Sequence, residues 1–171
     1  MTLEAFHTQE YRDILLTFPF LATGNEQWLG DGYYFWQDYQ FSDWWGKTKK
    51  CNLENVSQKY CIYNANLIFE DEDFIDTVFN ETDYYQFVFN IERFAAEYYR
   101  LFDEKPDLAD FNDFISDFGV WSNIKIIRFQ DLPGSNQHVD VKGFYYKKRI
   151  QIRVNDPSII HTFALLNTND C

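Results

Sequence analysis

His7 and Thr8 stand side by side near the start of the chain. Tyr34 follows Gly30 and Gly32, Ser42 and Trp45 lie three residues apart, and Gln151 comes near the end. An imidazole and an amide can hydrogen-bond hydroxyls, an aromatic face can stack on a flat ring, and a glycine lets the backbone come close. These groups hold and orient a ligand. Other chemistries find no support. No Gly-x-Ser-x-Gly elbow points to a Ser-His-Asp hydrolase. His7, His138 and His161 share no ligand spacing, and Cys51, Cys61 and Cys171 form no CxxC pair, so no metal is expected. Gly30 and Gly32 lack the third glycine of a Rossmann fingerprint and precede a ring-rich strand, not a helix.

The elements that must position these residues follow from periodicity and punctuation. Residues 3–7 read as a short strand carrying His7, and residues 8–18 as a short helix with Tyr11, Ile14, Leu15 and Phe18 on one side. A turn near Gly24 leads to a ring-rich strand after Gly32. Residues 40–50 are predicted helical, which sets Ser42 and Trp45 one turn apart. Residues 60–69 form a strand. The strongest helix covers 83–102, with Tyr84, Phe87, Val88, Ile91, Ala95, Tyr98 and Leu101 on one face and acids on the other; a second follows Pro106. Strands are expected at 124–129, 150–154 and 159–166. Strands, then helices, then strands describe an α+β chain, not a βαβ repeat.

The chain has 171 residues, a length for one domain spanning 1–171, and 46% are hydrophobic. One residue in five is aromatic, so rings are expected to wall both core and cleft. The net charge of −12 argues against a generic nucleic-acid binder, but the charge is uneven. Between Glu70 and Asp117 the only bases are Arg93, Arg100 and Lys105. From residue 125 to 153 seven bases face Asp131 and Asp140 alone. An odd number of cysteines, no basic leader and no apolar run of membrane length give a soluble protein, reduced and cytoplasmic, as the expectation.

The segment Gly30-Asp31-Gly32-Tyr33-Tyr34-Phe35 resembles the Gly-x-Gly-Ile-Tyr-Phe segment of ADP-ribosyltransferases of the diphtheria-toxin and poly(ADP-ribose) polymerase type. Phe6-His7-Thr8 is similar to that family's His-Gly-Thr, and Ile150-Gln151-Ile152-Arg153-Val154 to its third motif strand. The resemblance implies split antiparallel β-sheets with helices inserted mid-chain, and a His-Tyr-Gln version of the His-Tyr-Glu triad at His7, Tyr34 and Gln151. It implies NAD as co-substrate, held by His7, Thr8, Gly32, Tyr34, Ser42 and Trp45, with no metal. Leaving-group chemistry at nicotinamide needs little acid–base help, so positioning and electrostatics would dominate.

Two departures shape the expectation. Thr8 stands where the family has glycine, so its backbone can clamp a carboxamide only if its side chain turns away. Gln151 keeps hydrogen bonding and loses the charge of glutamate, which favours single ADP-ribose transfer over chain elongation. The bases and rings of Tyr145, Tyr146, Lys147, Lys148 and Arg149 would meet an acceptor, either protein or nucleic acid. Small stand-alone domains of this kind look like toxin or effector halves of bacterial conflict systems, which would add a neutralising partner protein and no membrane. Two alternatives stand beside this: a silent NAD- or ADP-ribose-binding module, and an interaction protein using its acidic middle.

Overall fold

The computed structural model describes residues 1–24, 27–51, 58–131 and 148–171. Among these, seven strands form one open sheet: β1 Thr2–Glu10, β2 Tyr33–Trp36, β3 Lys59–Ile68, β4 Phe74–Asp76, β5 Ile126–Asp131, β6 Arg149–Val154 and β7 Ile160–Asp170. Their order across the sheet is β4-β5-β6-β2-β1-β3-β7, antiparallel except for the β4–β5 pair. Among the described residues three α-helices accompany it: α1 Tyr39–Trp45, α2 Glu81–Phe102 and α3 Leu108–Asp117. The chain is therefore α+β, with two of its helices mid-chain. Where two separate sheets were expected there is one, and a single residue pair, Phe6↔Trp36, joins β1 to β2.

The centre is fixed by apolar strands covered on both faces. In β3, Tyr60, Cys61, Ile62, Tyr63, Ala65 and Leu67 are all buried, a near-continuous run that suits a doubly covered strand. On one side Ala5, Phe35, Leu67, Ile126, Ile152 and Val154 form the main core. On the other, Leu29, Ile127 and Phe129 pack with Tyr34, Phe87 and Trp121. Beside β4, Arg128 forms a bidentate ion pair with Asp76. Burial opposes the Asp76 charge, but Arg128 and the amides of Phe79 and Val78 outweigh it and hold the carboxyl below its usual range.

Four expectations need correction. The predicted helix over 8–18 does not form. Strand β1 runs on to Glu10, pairing residue by residue with β3 as far as Glu10↔Tyr60, and the ladder overrides local preference. Ile14 then lies 81% exposed in an irregular segment. The helix expected over 40–50 is two pieces, α1 and a wider π-helical turn at Gly46–Lys50. The Tyr60 ring packs so close under Gly46 that a Cβ there would lie 2.2 Å from it. The cysteines are not all thiols: Cys51 and Cys171 form a disulfide, and Cys61 is free and buried. Finally, the apolar face of α2 is narrower than its periodicity suggests, because Tyr84 and Leu101 are exposed and only Tyr98 is fully buried.

Both long helices begin on side-chain caps. Asn80 Oδ1 accepts from the amides of Thr82 and Asp83, and Asp107 accepts from Asp110. No helix among the described residues is long and apolar enough to cross a membrane.

Candidate functional site

Where β1 and β2 part beyond their single shared pair, a cleft of about 800 Å3 opens. His7, Tyr34 and Gln151, carried by three different strands, all line it, together with Thr8 and Trp45. Residues far apart in sequence reach it because β2 is the neighbour of both β1 and β6, with Trp36 opposite Phe6 on one side and Gln151 on the other.

His7 is buried, and its ring packs against Phe35 and Phe163. Its Nδ1 lies 2.9 Å from the Tyr34 carbonyl oxygen. A carbonyl can only accept, so Nδ1 carries the proton and neutral His7 presents Nε2 as an acceptor. Burial lowers its pKa, and Lys50 adds to that; the Tyr34 carbonyl and the Gln9 side chain pull the other way and lose. Nε2 is enclosed and has no hydrogen-bond partner among the described residues.

Tyr34 turns its ring to the opposite side of the sheet, edge-on to Phe129. Its hydroxyl donates to the Gly30 carbonyl at 2.7 Å and accepts from the Leu29 amide. Burial raises its pKa, so the phenol is neutral and clamps the glycine turn. Gly32 does not line the cleft. It bridges to Ala22, and a Cβ there would lie 2.8 Å from Arg153, whose guanidinium donates to the Asp31 carbonyl. Its lack of a side chain makes room for arginine, not for a ligand.

Ser42, also expected to touch a ligand, is wholly buried and faces Thr8. Thr8 Oγ1 donates to the Ser42 carbonyl at 2.6 Å, so the Ser42 hydroxyl must be the donor in their second contact, also 2.6 Å. This pair ties β1 to α1, and the Thr8 hydroxyl is engaged by the helix. Trp45 does line the cleft, in a cluster with Trp36 and Trp44 at ring distances of 5.7–6.2 Å.

Arg149 was expected at an acceptor; Asp131, Lys49 and Lys50 carried no expectation, and all four line the cleft. Gln151 Nε2 donates to Asp131 Oδ2 at 3.2 Å, and Arg149 forms an ion pair with the same oxygen at 3.1 Å. Arg149 also lies over the Trp44 ring, 4.8 Å from its centre. Lys49 and Lys50 add two more bases, Lys49 over the Trp45 ring and Lys50 paired with Glu10. Arg12 grips Glu10 as well; burial works against the Glu10 charge, yet these bases and backbone hydrogen bonding hold its pKa at about 2. Among the described lining residues Asp131 is the sole carboxylate against Lys49, Lys50 and Arg149. A basic cleft in a chain of net charge −12 is a local field suited to an anion.

Of the expected acceptor-binding residues, Tyr145, Tyr146 and Lys147 lie outside the described residues. Lys148 is exposed and sits near the Phe79 ring, while Arg149 points into the cleft cluster. No group of three or more potential metal-ligating side chains occurs among the described residues. Comparison with protein-family models, curated proteins and solved structures finds no match to this chain.

Proposed function

We propose that the cleft binds NAD and that the protein is a mono-ADP-ribosyltransferase. The observation that carries this is the meeting of Thr8, Trp45, Gln151 and Asp131 with Lys49, Lys50 and Arg149 in one tryptophan-walled cleft whose charge is basic. Its volume falls within the roughly 300–1,000 Å3 range of small-molecule sites. In this reading the Gln151 amide hydrogen-bonds a ribose hydroxyl, while the His7 imidazole, on the far side of the sheet, packs against Phe35 and Phe163 and anchors β1 to β2. The tryptophan faces flank the nicotinamide, and Lys49, Lys50 and Arg149 attract the pyrophosphate. NAD supplies the labile glycosidic bond. It breaks with both electrons leaving on nicotinamide, and an acceptor nucleophile bonds to the ribose carbon and loses its proton.

Gln151 cannot offset the positive charge that grows on the ribose. Asp131, bonded to the Gln151 amide, supplies that negative charge from the neighbouring strand. The deciding measurement is nicotinamide release from NAD by purified protein, with and without a cell lysate, alongside NAD binding by calorimetry. Asp131→Asn should lower the release rate by about 10²-fold or more while NAD still binds. Absence of both release and binding would sink the proposal.

The uncharged Gln151, and the placing of the His7 and Tyr34 rings on opposite faces of the sheet, favour a second reading, a module that binds NAD or ADP-ribose without turnover. Binding without release in either condition selects it. A cytoplasmic setting would keep Cys51 and Cys171 as thiols, so assays there concern the reduced form. The acceptor, protein or nucleic acid, and a neutralising partner remain parts of the proposal to be read from labelled products.

A further inference from the structure

Two of the three bases described in the cleft, Lys49 and Lys50, come from one turn, and a covalent bond stands directly behind it. Gly46–Lys50 is a wide π turn, closed where the Cys51 amide donates to the Gly46 carbonyl at 3.1 Å. Such turns are rare and frequently found at functional sites. This one is anchored at both ends. Its first residue, Gly46, is seated against the Tyr60 ring of β3. At its other end Cys51 is bridged to Cys171, just beyond β7, with their Cα atoms 5.5 Å apart. The far post is firm. Strand β7 pairs with β3 as far as Lys59↔Asp170, and the Cys171 amide donates to the Gln58 carbonyl at 2.9 Å.

The bridge is placed where it can open. Cys171 is exposed, so a thiolate from solution can reach it, and exposed disulfides are the labile, regulatory kind. Cys61, the remaining cysteine, is 1% exposed and cannot compete. Opening the bridge leaves the β3–β7 ladder in place, so the sheet outlasts it. The turn loses its second anchor, and Lys49 and Lys50 keep side-chain contacts to the Trp45 ring and to Glu10. We infer that Cys51 and Cys171 form a redox latch on the basic turn of the cleft. Bonded, they fix Lys49 and Lys50 and the cleft holds an anion tightly; as two thiols they release the turn and the hold weakens. That the anion is NAD rests on the function proposed above; the latch itself does not. A low-molecular-weight disulfide such as oxidised glutathione closes it by exchange. The two protein thiols give up two protons and two electrons to form one S–S bond, and the reagent takes up both to become two thiols. Excess reduced glutathione runs the exchange backwards.

The test compares the full chain equilibrated in oxidised and in reduced glutathione. Amide hydrogen exchange should quicken at residues 46–51 on reduction, while the amides of β3 and β7 stay protected. Calorimetry with NAD, and separately with inorganic pyrophosphate, should show about tenfold weaker binding to the reduced chain. Cys51→Ser and Cys171→Ser should each behave as the reduced chain in both buffers, whereas Cys61→Ala should keep the redox response. Equal exchange at 46–51 in the two states overturns the latch. So does equal affinity, or a pair that stays as thiols in oxidised glutathione. Binding of neither probe in either state sinks the NAD cleft instead, and exchange at 46–51 then decides the latch alone. Pyrophosphate binding without NAD binding rejects the dinucleotide, and the latch stands if that binding weakens on reduction.

Discussion

The strand β3 and the helix α2 are both rich in rings, and they treat those rings in opposite ways. In β3, Tyr60 and Tyr63 are buried with their apolar neighbours, since β1 and β7 flank the strand and both faces are covered. In α2, with Tyr84, Tyr85, Phe89, Tyr99 and Phe102 all exposed, one face of the helix has neighbours, supplied by α3 and Trp121. The same amino acids thus serve as core in one place and as surface in the other. Composition alone does not say which; the number of covered faces does. Stability resides in the sheet, while the helical side has surface left for recognition.

The contrast can be broken first in the sheet. Ile152→Ala removes a side chain with no exposed surface at the centre of the main core, and should cost about 2–5 kcal/mol in urea unfolding. A cost below 1 kcal/mol would mean the sheet is not where stability lies. Gly46→Ala forces a methyl group against the Tyr60 ring and should cost about 1–3 kcal/mol. Because the Gly46–Lys50 turn also supplies Lys49 and Lys50 to the cleft, the same variant should weaken ligand binding, which calorimetry reads.

Acid offers a gentler probe of the buried side. His7 is held neutral in the fold, with a pKa below its ordinary 6.5. In the window below 6.5 the unfolded chain takes up a proton that the native state resists, so stability falls as the pH drops. The slope from this group is at most about 1.4 kcal/mol per pH unit, and His7→Gln should flatten it. Unfolding curves unchanged between pH 7 and pH 5 would show that His7 is not enclosed. The smallest effect belongs to the helix: Phe89→Ser should alter stability by only about 0.5 kcal/mol or less. A loss as large as that of Ile152→Ala would mean α2 is packed after all.

Much of the fold is legible in the sequence where one pattern answers one neighbour. The apolar run around Ile62 marks β3, and apolar residues at steps of three and four mark α2 and the helix after Pro106. His7, Tyr34 and Gln151 were legible as candidates by their order and motifs, but not their setting. Asp131 gave no signal, since its meeting with Arg149 and Gln151 depends on the β5–β6 register across unrelated stretches of chain. Ser42 misled because helical spacing fixes which residues share a side, not which side looks inward. The strand β4, three residues long, is too short to alternate and exists because β5 offers it a ladder.

The disulfide between Cys51 and Cys171, 120 positions apart, turns most of the molecule into a closed covalent ring with a tail of fifty residues. The ring holds β3 to β7 and the tail holds β1 and β2, which slot side by side between β6 and β3. The amino-terminal arm is therefore a plug. It bridges the two arcs of the ring, and withdrawing it would part the sheet at the very place where His7 and Tyr34 sit, while leaving the loop itself unbroken.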